Sequence, residues 1–177
     1  MSKSAPFEHV FDLSDLSAAG AEVTIDLKQE QRAKLAAWLD VESVEKFTGV
    51  VALRKLAMNR FRYEARLLCD LTQPSVVTLE PLQTHIAESF SRELHVAHRL
   101  RREVAGDEEL ALAAGDDDAP EEIESSKFDL AGPLLEELSL ALDPYPRAPG
   151  EAFRPPELPD DKPESPFAVL KRLKGEG

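Results

Sequence analysis

The sequence predicts an α+β domain in which a mainly antiparallel sheet is covered on one side by two helices. Three observations carry that expectation. Val44–Ala57 and Arg60–Leu71 are two long apolar-rich runs separated only by Met58-Asn59, the pattern of an antiparallel hairpin. Within the second run Phe61, Tyr63, Ala65, Leu67 and Cys69 share one parity, whereas Arg60, Arg62, Glu64 and Arg66 share the other, so one face belongs to a core and one to water. Leu35, Trp38 and Leu39 within Gln29–Asp40, and Leu130, Leu134, Leu135, Leu138 and Leu142 further on, recur instead at helical intervals.

The remaining elements rest on local signals. Phe7–Leu13 and Glu22–Asp26 have the composition of short strands, the second with Val23 and Ile25 in alternation. Asp26 stands three residues before Gln29, a capping-box spacing for the first helix. Asn59 tolerates the positive φ that a tight hairpin turn uses. Val76–Leu79 is a short β-branched run ended by Glu80-Pro81. Thr84–Val96 suits a helix or a strand. A strand is preferred because Thr84, Ile86, Glu88, Phe90, Arg92 and Leu94 share one parity and the hairpin needs a further partner. Asp129 is placed to cap the second helix, with Pro133 in its first turn and Asp143-Pro144 ending it. Ser165-Pro166 before Phe167–Lys174, followed by Gly175, supplies the cap, first-turn proline and terminal glycine of a two-turn helix, too short to be stable alone.

Length and charge fix the organisation. The 177 residues suffice for one domain, residues 1–148, and a proline-rich tail, residues 149–177, with eight prolines between Asp143 and Pro166. The net charge of −13 argues against nucleic acid as a partner, but its distribution does not. Residues 44–102 carry ten basic and six acidic groups, while residues 103–124 carry ten carboxylates and no Lys or Arg. The latter stretch is expected to be a mobile acidic loop. No run approaches the roughly 18 apolar residues of a membrane span, and the N-terminus lacks an apolar signal core, so a cytoplasmic protein is expected. The one cysteine, Cys69, excludes an intrachain disulfide and a multi-cysteine metal cage.

Candidate chemistry is sparse. Arg60, Arg62 and Arg66, with Arg54 and Lys55 on the neighbouring strand, form a basic face. Residues two apart on a strand lie about 6.6 to 7 Å apart, close to the separation of successive phosphates, so the face suits nucleic-acid binding; an ordinary solvated sheet surface has the same composition. His95 and His98, with Arg99, Arg101 and Arg102, form a second basic cluster, without a third ligand to make a metal site. There is no Gly-x-Ser-x-Gly, no glycine-rich phosphate loop and no His-Glu-x-x-His. Catalytic residues, metal and cofactor are therefore all predicted to be absent. Phe167, Leu170 and Leu173 form an apolar stripe that docks either on its own domain or in the groove of a partner protein.

Three passages in order carry a resemblance to a known family. They are Val76-Val77-Thr78-Leu79-Glu80-Pro81, then Asp129-Leu130 through Leu140-Ala141-Leu142-Asp143-Pro144-Tyr145-Pro146-Arg147 with Pro149-Gly150, and finally Ser165-Pro166-Phe167-Ala168-Val169-Leu170. Together they resemble the YceD family of large-ribosomal-RNA accumulation proteins. The resemblance implies a cytoplasmic, non-enzymatic factor needed for synthesis, processing or stability of large-subunit ribosomal RNA. Its implied partners are that RNA or its precursor, or a ribosome-assembly protein, with no membrane and no small-molecule substrate. Many relatives have a cysteine just before the first passage; here the residue is Ser75, and Cys69 has no partner, so no bound metal is carried over.

Overall fold

Two fifteen-residue strands, β3 (Ser43–Ala57) and β4 (Arg60–Pro74), form the centre of the computed structural model, which describes residues 4–97 and 120–151. Their pairing is antiparallel, with Val51 opposite Ala65 and Leu53 opposite Tyr63. The alternation in β4 holds along its length: Phe61, Tyr63, Ala65, Leu67 and Cys69 are all buried. On β3 both Val44 and Phe47 are buried although their parities differ. A bulge that leaves Glu45 without a register partner explains this, since one extra residue turns the following side chains to the other face.

Strand β2 (Ala21–Asp26) extends the sheet beside β3, and β5 (Pro81–Val96) beside β4, both antiparallel. The ambiguous Thr84–Val96 run is thus a strand, in which Ile86 and Leu94 are buried. It begins at Pro81, opposite Pro74, where two prolines remove donors only at the end of the ladder. A short β6 (Glu121–Ile123) adds in parallel to the last residues of β5 and completes the order β2-β3-β4-β5-β6. A separate two-stranded sheet pairs β1 (Val10–Asp12) with β7 (Lys127–Asp129).

Both helices pack on this sheet, α1 (Gln29–Leu39) against β3 and α2 (Ala131–Ala141) against β4 and β5. Leu35 and Ala36 of α1 and Leu134, Leu135 and Leu138 of α2 join Phe47, Val51, Leu53, Tyr63 and Leu67 in one apolar core. Asp129 caps α2: its Oδ1 accepts from the backbone N of Ala131 at 3.0 Å and from that of His9 at 2.7 Å. The Tyr63 hydroxyl donates to the carbonyl oxygen of Leu130 at 2.9 Å, which holds the start of α2 over the first part of β4.

Several local expectations are corrected. The first strand is only Val10–Asp12, because Leu13–Asp15 turns into a single 3-10 turn that carries Leu13 into the core. It pairs with β7 rather than with the main sheet. The cap of α1 lies at Lys28, whose backbone N donates to Gln31 Oε1 at 3.1 Å; Asp26 is the last residue of β2. Asn59 does not adopt positive φ, since a second bulge at Leu56 accommodates the hairpin turn. The β-branched run before Glu80-Pro81 forms a turn over residues 76–78. The C-terminal end of the acidic stretch, Glu121–Ile123, is a strand because β5 offers it a free edge. Residues 103–119 and the expected terminal helix with Phe167, Leu170 and Leu173 lie outside the described residues.

Helix α2 packs tightly on the sheet at Gly49, where a Cβ would stand 2.6 Å from Leu134 Cδ1. Gly49→Ala is expected to destabilise the fold by about 1 to 3 kcal/mol through overpacking, and Leu134→Ala by about 2 to 5 kcal/mol through the cavity it leaves. Because each relieves the other, the double variant should be more stable than the sum of the two losses, a non-additivity read directly from denaturant melts.

Candidate functional site

The face of the sheet opposite the helices is built by strict alternation, and it gathers side chains from four strands. Thr24, Val50, Arg66 and Ser89 form one row in register, Glu22, Ala52, Glu64 and Ser91 the next, and Arg54, Arg62 and Glu93 the third. Val50, Ala52, Ser89 and Ser91 are short, so a shallow trough runs between the long side chains of Arg54 and Arg66. Among the described residues no helix covers it, and neither Arg54 nor Arg66 forms an ion pair.

The five predicted basic residues are not equivalent. Arg54, Arg60, Arg62 and Arg66 share this face. Lys55 does not: it lies opposite Phe61 in register and therefore projects on the helix side, beyond the end of the core. Arg54 and Arg62 are direct cross-strand neighbours, a like-charge contact that costs stability unless compensated. Glu93 compensates it. One of its oxygens accepts from Arg62 and the other from Arg60, each at 2.8 Å. The hydrogen bond from Arg62, assisted by the Arg60 charge, holds the Glu93 carboxyl below its ordinary value. Sequence parity identified the arginines, but Glu93 is 31 residues from Arg62 and could be placed beside it only once the β4–β5 register was known. His95 stands opposite Arg60 on the same face, while His98, Arg99, Arg101 and Arg102 lie outside the described residues. Among the described residues no group of His, Cys, Asp and Glu is arranged to hold a metal. Burial pushes the Cys69 thiol up to about 12, aided by Asp70 and Glu45, so it is neither a nucleophile nor a ligand at neutral pH.

A second constellation was not foreseen in the sequence. The turn between β4 and β5 is joined to the segment after α2 by Glu151. Its Oε2 accepts from the hydroxyl of fully buried Ser75 at 2.7 Å and from the backbone N of Ala148 at 2.9 Å. Its Oε1 accepts from the Thr78 hydroxyl at 2.9 Å. Ser75 Oγ in turn accepts from the backbone N of Val77 and of Thr78, and the Val76 N donates to the carbonyl oxygen of Pro146 at 2.9 Å. Leu79 closes the turn with φ of 62°, a left-handed conformation that costs a leucine about 1 to 2 kcal/mol. Donation from Ser75, then from Ala148, holds the Glu151 carboxyl below its ordinary value. Val76–Pro81, the first of the passages that carry the family resemblance, is thereby fastened to the end of the second, around Pro146 and Ala148.

Compared with models of protein families, with curated proteins and with solved structures, the chain matches none. No helix among the described residues is long and apolar enough to cross a membrane.

The junction makes two predictions. Ser75→Ala removes a buried hydroxyl and leaves the Val77 and Thr78 amides without their acceptor, an expected loss of about 1 to 3 kcal/mol in a chemical melt. Glu151→Gln should lower the melting temperature only where Glu151 is ionised. A depressed folded-state pKa stabilises above the unfolded value, here 4.5, and the benefit disappears as pH falls through the folded value. The gap between wild type and Glu151→Gln, tracked by thermal melts across pH, should therefore be constant above pH 4.5 and close below it.

Proposed function

We propose that this protein is a non-enzymatic factor supporting synthesis, processing or stability of large-subunit ribosomal RNA, and that it acts by binding RNA on the open face of its sheet. The observation that carries the reading is the placement of Arg54 and Arg66 on either side of an uncovered trough lined by Val50, Ala52, Ser89 and Ser91 together with Glu22 and Glu64, neither carboxylate being ion-paired to Arg54 or Arg66 among the described residues. A strand of phosphates lying along β4 would meet Arg66, then pass Glu64, and then meet Arg62 and Arg60, with Arg54 beside them. Among the described residues no Phe, Tyr or Trp side chain projects on this face, since Phe90 stands opposite Ala65 and packs on the core side, so contacts would fall on phosphate and sugar rather than on stacked bases. The choice of ribosomal RNA rests on the family resemblance of the three sequence passages.

Glu93 gives the face a built-in restraint. It pairs with both Arg60 and Arg62 in the free protein and offsets one of their two charges, and phosphate would have to replace one carboxylate in both contacts. Affinity should therefore be moderate and strongly dependent on salt.

The test is RNA binding over a salt series, with a large-subunit ribosomal RNA fragment and an unrelated RNA of equal length. Replacing Arg54, Arg62 and Arg66 together by Gln should change stability by no more than about 0.5 kcal/mol per site, because all three are surface positions. The same replacement should flatten the log-log salt slope by about 2 to 3 units, at about 0.7 to 0.9 per lost phosphate contact. Glu93→Gln should tighten binding by freeing Arg60 and Arg62. Wild-type protein without salt-sensitive RNA binding would end the proposal. In cells lacking the protein, ribosome sedimentation profiles should show a deficit of large subunits.

A further inference from the structure

Away from the arginine face, the Glu151 junction presents an apolar surface with an unusual makeup. Val76 is 52% exposed, Leu79 78% and Tyr145 69%. They are gathered by specific bonds: Val76 is held to Pro146, next to Tyr145, and Leu79 N donates to the carbonyl oxygen of Ser75 at 3.0 Å. Leu79 adopts its left-handed backbone with its side chain in water, whereas Asn or Gly would meet that φ with less strain. An exposed leucine kept in a strained position points to a use for its side chain.

We propose that this surface is the seat of the chain's own C-terminal stripe, Phe167, Leu170 and Leu173, and that Glu151 anchors the strap leading to it. The described chain ends at Glu151, which is clamped to the turn that carries the patch, so the strap starts from the patch itself. Residues 152–166 separate the clamp from the stripe, and these fifteen residues extend to at most about 50 Å, ample for a return. Tethering at this length places the stripe at an effective concentration of about millimolar, which a separate partner has to exceed. Charge agrees: Lys171, Arg172 and Lys174 accompany the stripe, and the exposed carboxylates of Glu80 and Asp143 border the patch. Three apolar side chains thus face three, on one continuous chain. The arrangement is independent of RNA binding.

Engineered cysteines in the full-length chain test it, because buried Cys69 does not compete. Val76→Cys with Leu170→Cys should form an intramolecular disulfide, located by peptide mapping, about tenfold or more faster than Met58→Cys with Leu170→Cys. Met58 is a suitable control, being 84% exposed at the other end of fifteen-residue β4, about 45 Å away. Because the strap starts beside Val76, proximity alone favours the first pair over the control, so the deciding comparison adds Phe167→Ala and Leu173→Ala, which should slow the first pair several-fold and leave the Met58 pair unchanged. Equal rates for the two pairs, no effect of the alanines, or disulfides found only between molecules would each overturn the proposal, the last in favour of a second copy on the patch. The same question can be put without cysteines. Amide exchange at Phe167–Leu173 should be slowed in wild type and should return to the rate of the isolated peptide in Leu79→Asn, which keeps a residue tolerant of the left-handed turn. Unchanged exchange in that variant counts equally against the strap.

Discussion

The hydrogen bond from the Tyr63 hydroxyl to the Leu130 carbonyl oxygen, 2.9 Å long and buried, is the constraint on which the rest of the molecule depends. Tyr63 is the largest fully buried side chain of β4, and its ring lies against Phe90 and Phe128 at 5.9 and 6.2 Å between centroids. Burial drives the phenol pKa far upward, so the hydroxyl stays a donor at any physiological pH. The carbonyl it meets belongs to the residue between β7 and α2, where Asp129 caps the helix and binds His9. One bond therefore fixes the helix, the small β1–β7 sheet and the large sheet relative to each other.

Because both helices join a single core on one side of the sheet, the other side is left to its own chemistry. Its long strands are stabilised from the core face, so the outer face can carry like charges such as Arg54 and Arg62 in direct register. Glu93 is the local remedy, and its consequence is that two of four arginines begin occupied. Arg92, on the core face of the neighbouring strand, is used differently: it pairs with Glu136 of α2 and Glu121 of β6 and lies over Phe90. The sheet thus uses Arg92 as a structural fastening on one side, while on the other Glu93 holds Arg60 and Arg62 and leaves Arg54 and Arg66 available.

The β4–β5 turn obeys another logic. A sixteen-residue strand comes after it, and the chain must reverse between two prolines that cannot donate to the ladder. Ser75, within the turn, accepts from two of its backbone amides, and Glu151, 76 residues further on, holds the Ser75 and Thr78 hydroxyls in place. With these groups satisfied by Ser75 and, for the Val76 amide, by the Pro146 carbonyl oxygen, the turn sustains a leucine at positive φ.

The hairpin, the two helices and the core face of β4 were legible in the sequence because each is set by periodicity and by residues close in the chain: Phe61 to Cys69 at period two, Leu130 to Leu138 at helical period, Asp129 as a cap. The α+β class followed from them, as did the arginines on alternate positions of β4. Tertiary structure decided whatever depends on register or on distant partners. The Glu45 bulge alters parity in mid-strand, β1 finds β7 across the chain, and Lys55 parts from the arginines because its register partner is Phe61. Glu93 becomes the partner of Arg60 and Arg62, and Glu151 that of Ser75, through side-chain contacts 31 to 76 residues apart. Local propensity determines which face a side chain takes along one strand, but only the pairing of strands determines what stands opposite it.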